Sequence, residues 1–483
     1  MTFTSAGFYV FLGAVLTLCL GLGRRGRSIV LLAASYAFYA SWVTPGMVGV
    51  LGGVTLGSYL CALAMERLES PRRRSLVLLL GVASQLGVLV AVRWAAVVEP
   101  SKALFATIGV SYYVLQAVSY LIEVRDRASA AERNLVRYAL FLAFFPKLIQ
   151  GPIERPDRLL PQLLEPRAIT PGDLAAGTQQ LLWGLFQKVV VADRIAPLVD
   201  AVYGDVRGHD GLPLLVATYL FAAQLYFDFA GYTDMALGAA RLFGIGLTQN
   251  FQAPYSARSV AEFWRRWHMS FSSLLLDYVF RPMQLRLRRW RVWGTPAALL
   301  ITFVISGAWH GTSWSFIVWG ALHGAYLASS VLGQRLRRRL QTAMHLQGSP
   351  LLGPLQIIVT FHLVCFAWIF FRARTLGDAL YVVQHLASGL GGSLGQVIAG
   401  QLEAPLYLGQ GSGRFASALA AIAAGAALRP FCTRLGPEPA AKDPAAGVAT
   451  PWRGWVRTIV YAVMFYLVAF SGTVAQSFIY ARF

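Results

Sequence analysis

Two of the seven histidines in this chain stand where a histidine is costly. His310 lies in FVISGAWHGTSWSFIVWG (303–320), among tryptophans and aliphatic side chains. Phe or Leu would fill that space without a polar edge that must find a partner. His268 closes the RRWH run of NFQAPYSARSVAEFWRRWHMSF (250–271), and a third stretch, QLYFDFAGYTDMALGAARLFGI (224–245), carries Asp228 and Asp234 inside an apolar run. A desolvated neutral imidazole suits a general base that takes the proton of a hydroxyl as its oxygen attacks an activated acyl group, and no metal is needed for that step. Acids at such depth face a cavity, a partner or a substrate path, and the same acids and histidine would equally serve a transporter as a proton relay. Zinc chemistry is not indicated: His310 and His323 are thirteen apart and neither HxxxH nor HExxH occurs. The P-loop pattern is missing too, and neither a serine hydrolase nor a dinucleotide enzyme is expected. The four cysteines (Cys19, Cys61, Cys365, Cys432) are scattered without a CxxC pair, so neither a disulfide framework nor a thiolate metal site is indicated. His362 and Cys365, three apart on one helix, read either as a Cys–His nucleophile pair or as two packing residues.

These residues need elements to hold them. Ser259 followed by Glu262 has the form of a capping box and predicts a helix from Val260. On one continuous helix Trp264, Trp267 and His268 fall at i, i+3 and i+4 on a single face, with Arg265 and Arg266 pointing elsewhere. An interfacial helix with its tryptophans at headgroup level explains the Trp and Arg residues but not His268. In FLAFFPKLIQGPIERP (141–156), Pro146 removes a backbone donor and Gly151–Pro152 halts the helix again, with Gln150 between them. Two readings stand there, a re-entrant element beside a cavity and a helix that ends at the interface. Asp228 and Tyr232 are four apart and share a helix face, and the acids read either as path-lining groups or as partners of arginines that lock helices together.

Composition supplies the setting. Of 483 residues 56% are hydrophobic and only 13% charged, and mean hydropathy is +0.55, where a soluble protein carries about 25% charged residues. Apolar runs able to cross a bilayer recur at 8–23, 75–92, 294–309, 353–371 and 455–470, so an all-α polytopic membrane protein is expected rather than a β-barrel. The net charge of +20 does not imply nucleic acid, because the basic residues form short clusters between apolar runs: RRGR (24–27), RRR (72–74), RDRASAAERNLVR (125–137), RPMQLRLRRWR (281–291) and RLRRR (335–339). That is the positive-inside pattern. With spans near 29–43, 47–65, 75–92 and 103–123, the first three clusters agree on an extracytoplasmic N-terminus, and the start MTFTSAGF lacks the basic region of a signal peptide. One membrane domain is expected over 1–483: N-terminal helices at 1–100, a motif-bearing core at 101–330, and C-terminal helices at 331–483 with an exposed linker near 436–454.

Taken together, FFPKLIQGPIERP, YFDFAGYTDMALGAARLFGI, NFQAPYSARSVAEFWRRWHMSFSSLLLDYVF, SGAWHGTSWSFIVWGALHG and the closing QSFIYARF resemble, in order and spacing, the membrane-bound O-acyltransferase family. The resemblance is to its bacterial alginate O-acetylation and teichoic-acid D-alanylation branch. It implies a ring of about 11–13 transmembrane or re-entrant helices around a thin central tunnel. It places His310 at the family's catalytic histidine and His268 at the second one. It further implies a short acyl group, acetyl first, moved from a cytoplasmic acyl-CoA or acyl-carrier protein toward a hydroxyl on an exopolysaccharide, lipid or protein outside, in the bacterial inner membrane. No bound cofactor is implied; acyl-CoA is a co-substrate, and a periplasmic SGNH-type transferase is the implied partner. D-alanyl transfer from a carrier protein is the alternative within the class, and a transporter or flippase for a polysaccharide or lipid-linked intermediate the alternative outside it. Substrate-path residues on this reading are Asp228, Tyr232, Asp234, Trp264, Trp267, Trp309, Gln150 and Pro146, while Arg265 and Arg266 would meet the phosphates of CoA. Two departures stand out. Ala481 replaces a common aromatic beside Tyr480, leaving that phenol between an acyl relay and an interfacial anchor, and GTSWS follows His310 where Ala and Asn are usual.

Overall fold

The computed structural model of the chain describes residues 1–98, 109–343, 345, 349–434, 451–470 and 478–479. Among these residues the secondary structure is helical throughout and no strand occurs. Seven stretches are long and apolar enough to cross a membrane: Pro45–Arg67, Pro71–Ala95, Leu212–Leu242, Met269–His310, Trp314–Leu332, Leu352–Arg372 and Ser412–Cys432, with Ala6–Gly21 and Trp455–Ala469 as shorter apolar helices. Most of these match the hydrophobic runs of the sequence within a few residues, because a continuous apolar run in lipid must satisfy its own backbone as helix. Residues 99–108, part of the expected span at 103–123, lie outside the described residues, as does most of the linker near 436–454 and Tyr480.

Met269–His310 is segmented. It runs as Met269–Leu275, a π-helical turn Leu276–Phe280, Arg281–Arg286, a 3₁₀ stretch Leu287–Trp293 reversed at Arg291 (φ 50°), and Gly294–His310.

The chain forms two compact units: residues 1–189, 229–249 and 428–482, and residues 190–228, 250–427 and 483. The first has a phenylalanine core in which Phe3, Phe8, Phe38 and Phe145 touch ring to ring. Its broken element follows the proline reading. The helix Leu135–Ala143 stops, one turn Phe145–Leu148 follows, and 149–155 is non-helical. The N–H of Phe145 donates to Ser35 Oγ (3.0 Å), and the buried Lys147 ammonium donates to Gln116 Oε1 and to the Leu142 carbonyl. Glu154, also buried, accepts from the N–H and hydroxyl of Thr248. Irregular backbone is thus fixed by buried polar partners, the condition for its survival away from water. Nearby, Pro171–Leu185 crosses the 229–242 part of Leu212–Leu242 at glycine contacts. A Cβ on Gly184 would lie 2.5 Å from the Gly231 carbonyl, and one on Gly238 would lie 2.7 Å from that of Gly177.

In the second unit the tightest pair is Gly294–His310 against Trp314–Leu332. A Cβ on Gly307 would lie 2.2 Å from the Phe316 carbonyl, and one on Gly320 would lie 2.1 Å from that of Phe303, so the two backbones touch. Ser313 starts the second helix by accepting from the Ser315 N–H (3.3 Å). The glycine strings GLGRRG (21–26) and GGSLG (391–395) match dinucleotide and hydrolase patterns by letter, yet each sits on or beside helices with no preceding strand among the described residues. Neither can form the strand–turn–helix those chemistries need.

Candidate active site

The second unit carries both histidines. His310 is the last residue of Gly294–His310 and is buried in rings: Trp309 at 4.7 Å, Trp319 edge-on at 4.9 Å, Phe371 at 5.3 Å and Phe271 at 5.7 Å between centroids. His268, 1% exposed, stacks on Phe271 at 5.1 Å and lies 6.3 Å from Trp309. Phe271 and Trp309 therefore touch both imidazoles and each other (4.3 Å). Aromatic side chains thus flank both imidazoles, and two of them are shared.

The expected single helix through RRWH does not form. Ser259 caps as predicted, its Oγ accepting from the Glu262 N–H (3.1 Å), but Glu262 takes the N–H of Arg258 instead of that of Ser259. The helix ends at Arg266, Trp267 is its cap, and His268 is left-handed (φ 44°, ψ 53°) at the start of Met269–Leu275. Trp264, Trp267 and His268 are thus not on one helical face. The cause is eighteen residues upstream. Asn250 Oδ1 accepts from the N–H and hydroxyl of Ser270 (3.2 and 2.7 Å) and lies 3.4 Å from His268 Nδ1; the Met269 N–H donates to the Asn250 carbonyl and the Gln252 N–H to that of Arg266. These bonds outweigh the about 1–2 kcal/mol that a left-handed non-glycine residue costs. Such strain is typical of functional positions.

The other expected site residues divide between the units. In the second, Trp264 donates its indole N–H to His323 Nδ1 (3.2 Å), and Trp267 packs among Tyr226, Phe251, Phe263 and Trp368. Asp228 is buried. Arg266 is tied to Glu262 (2.5 Å) and Ser256 (2.9 Å), whereas Arg265 is exposed. In the first unit Asp234 accepts from Gln187 (2.7 Å) and Gln180 (3.3 Å). Tyr232 is buried against Phe3 and Phe478, with its hydroxyl beside the Ile149–Gln150 backbone but short of hydrogen-bond geometry. Pro146 and Gln150 are buried in the broken element, and the Gln150 amide nitrogen has no hydrogen bond. His362 Nδ1 lies 2.7 Å from the Ile358 carbonyl of its own helix, which favours packing over a Cys365 pair. Among the described residues no group of three or more His, Cys, Asp or Glu is placed to hold a metal.

Sequence reasoning missed His323. It is fully buried, with Trp264, Trp319 and Tyr326 edge-on around it. Its signal was available: Ser315, Trp319 and His323 recur at i, i+4 and i+8, a buried stripe on an otherwise apolar helix. The side-chain donors of Ser306, Ser315 and Trp319, and Nε2 of His323, are buried without hydrogen bonds. Each such group costs about 1–3 kcal/mol, so a cluster of them calls for a reason.

Comparison with known proteins adds a second line. The profile of MBOAT, the membrane-bound O-acyltransferase family, matches residues 77–371. A probable alginate O-acetylase of Azotobacter vinelandii is 36% identical over 397 residues, covering 77% of this chain and 75% of that protein. The peptidoglycan O-acetyltransferase of Helicobacter pylori is 30% identical over 401 residues (75% and 74%). The teichoic acid D-alanyltransferase of Bacillus subtilis is 27% identical over 285 residues (57% and 71%).

Proposed function

The chain belongs to the membrane-bound O-acyltransferase family, and on that premise we propose that it moves an acetyl group from a cytoplasmic thioester to a hydroxyl acceptor outside the membrane, with His310 as the general base. That it is a multi-pass membrane O-acyltransferase follows from the family; the donor, the direction and the residue roles are the proposal. One observation carries it: the two imidazoles, His310 and His268, share the rings of Phe271 and Trp309.

In this reading the acceptor oxygen attacks the thioester carbonyl carbon while His310 takes its proton. The tetrahedral adduct collapses with cleavage of the C–S bond, and His310 returns the proton to the departing thiolate. His268, fixed through Asn250, orients the donor or steadies developing charge. Arg265 is the arginine of the RRWH run left exposed to meet the phosphates of acyl-CoA, since Arg266 is engaged by Glu262. Asp234, held by two glutamines, fixes the helix that carries it. Acetyl is favoured because alginate and peptidoglycan O-acetylating proteins are similar over three quarters of the chain. A D-alanyl group on a carrier protein is the second reading, supported by the teichoic acid D-alanyltransferase likeness. On this proposal the protein resides in the bacterial inner membrane with its N-terminus outside, and a periplasmic SGNH-type transferase takes the acyl group onward.

The test uses purified protein in nanodiscs with labelled acetyl-CoA and hydroxyl acceptors. His310→Ala should lower turnover by about 10²–10⁴-fold, the usual contribution of a positioned base. Turnover equal to wild type in that variant would remove His310 from the mechanism. Consumption of D-alanyl carrier protein but not acetyl-CoA would move the donor to the second reading.

A further inference from the structure

The helix pair that ends at His310 carries two matching polar stripes. Thr302, Ser306 and His310 recur at i, i+4 and i+8 on one helix, and Ser315, Trp319 and His323 do so on its partner; all six are buried. Thr302 behaves as a helical hydroxyl ordinarily does and donates to the carbonyl four residues back, Ala298 (2.7 Å). Ser306, one turn nearer His310, does not, although its own fourth-back carbonyl is always within reach, and its hydroxyl makes no hydrogen bond. The indole N–H of Trp319 is likewise buried without a hydrogen bond, and its ring stands at 89° to the His310 imidazole. His323 adjoins Trp319 at 5.1 Å. Its Nδ1 accepts from Trp264, so the proton of its neutral ring sits on Nε2, another donor with no acceptor. Donors next to a base, none of them satisfied by the protein, describe a site built for an oxygen that the protein does not itself supply.

We propose that the Ser306 hydroxyl and the Trp319 indole N–H, with His323 behind them, bind the carbonyl oxygen of the acyl thioester and stabilise the oxyanion formed when His310 delivers the acceptor. This deepens the reading above and rests on it for the thioester donor. The acceptor O–C bond forms, its proton passes to His310, and the carbonyl electron pair moves onto oxygen, where the two donors receive it. That pair then re-forms the carbonyl as the C–S bond breaks, and the thiolate leaves with the proton His310 held. Preorganised donors aimed at developing charge in a water-poor site are the usual source of the largest single contribution to acyl transfer.

The test compares wild type with Ser306→Ala and Trp319→Phe in nanodiscs, since each variant removes a donor and keeps most of the packing. Ser306→Ala should melt at or above the wild-type temperature, because a buried donor without a partner has been removed, whereas Trp319→Phe also leaves a cavity and should melt lower. Each should lower kcat by about 10²-fold with little change in KM, as loss of one oxyanion donor does. Binding of two acetyl-CoA analogues supplies a readout apart from turnover: S-acetonyl-CoA keeps the carbonyl and S-propyl-CoA lacks it. Wild type should prefer the ketone, and both variants should lose that preference. Wild-type kcat and undiminished preference in both variants would overturn the proposal. So would a lowered melting temperature with equal weakening of both analogues, which marks packing residues. Failure of wild type to bind either analogue would overturn the acyl-CoA donor and, with it, this proposal as tested on that donor, whereas acetyl transfer surviving in His310→Ala would sink only the base.

Discussion

His268 owes its position to Asn250. The amide oxygen of that residue holds the N–H and hydroxyl of Ser270, and its backbone carbonyl holds Met269, which together turn the chain left-handed at His268. Asn250→Ala should therefore lower stability by about 1–3 kcal/mol, the cost of leaving buried donors unmet. It should also lower kcat beyond what the folded fraction explains, because the imidazole is released. A melting curve and a kinetic assay on the same sample separate the two effects, and a kcat loss no larger than the unfolded fraction would make Asn250 purely structural. This residue shows where sequence reasoning stops. Ser259 and Glu262 announce a helix start within four residues, and the start is where they put it. The break after Arg266 depends on a side chain distant in sequence, and no local pattern at 260–268 reports it. His323 was legible only as part of a stripe, since its partners Trp264 and Trp319 come from two elements.

At the scale of elements, the hydrophobic runs were readable because lipid leaves a spanning chain no alternative to helix. The contacts between helices were not, since glycine positions mean little until their neighbours are known. Gly320→Ala should lower stability by about 1–3 kcal/mol, the cost of overpacking, and reduce transfer by moving Trp319 relative to His310. Gly13→Ala, with open space around it in Ala6–Gly21, should be neutral or stabilising in the same melting assay. The start of Pro171–Leu185 offers a different test. Thr170 and Asp173 cap that helix reciprocally, and the Arg167 guanidinium holds the Asp173 carboxyl well below the usual carboxylate range. A depressed acid contributes stability that is present above its unfolded value of about 4 and is lost as pH falls through the folded one. The melting-temperature gap between wild type and Asp173→Asn should therefore be full near neutrality and close on acidification; a gap independent of pH would remove the ion pair from the account.

For the whole molecule, the charge clusters fix an expectation that composition alone does not: the loop RDRASAAERNLVR should face the cytoplasm. Ala128→Cys, at an exposed loop position, should react with a membrane-impermeant thiol reagent in inverted vesicles and stay silent in intact cells. Labelling from the outside would reverse the orientation. The division into two compact units was not visible in the sequence, because the boundary at 228/229 falls inside one of the quoted motifs and the chain enters each unit more than once. One of those units holds a helix pair whose backbones meet at Gly307 and Gly320 with no side chain between them. Such a pair has a single register, for a slip of even one residue would drive a side chain into a carbonyl. His310 and Trp319 must then travel as one piece through every stage of turnover. Any change of shape that turnover requires must therefore leave this pair intact and lie outside it.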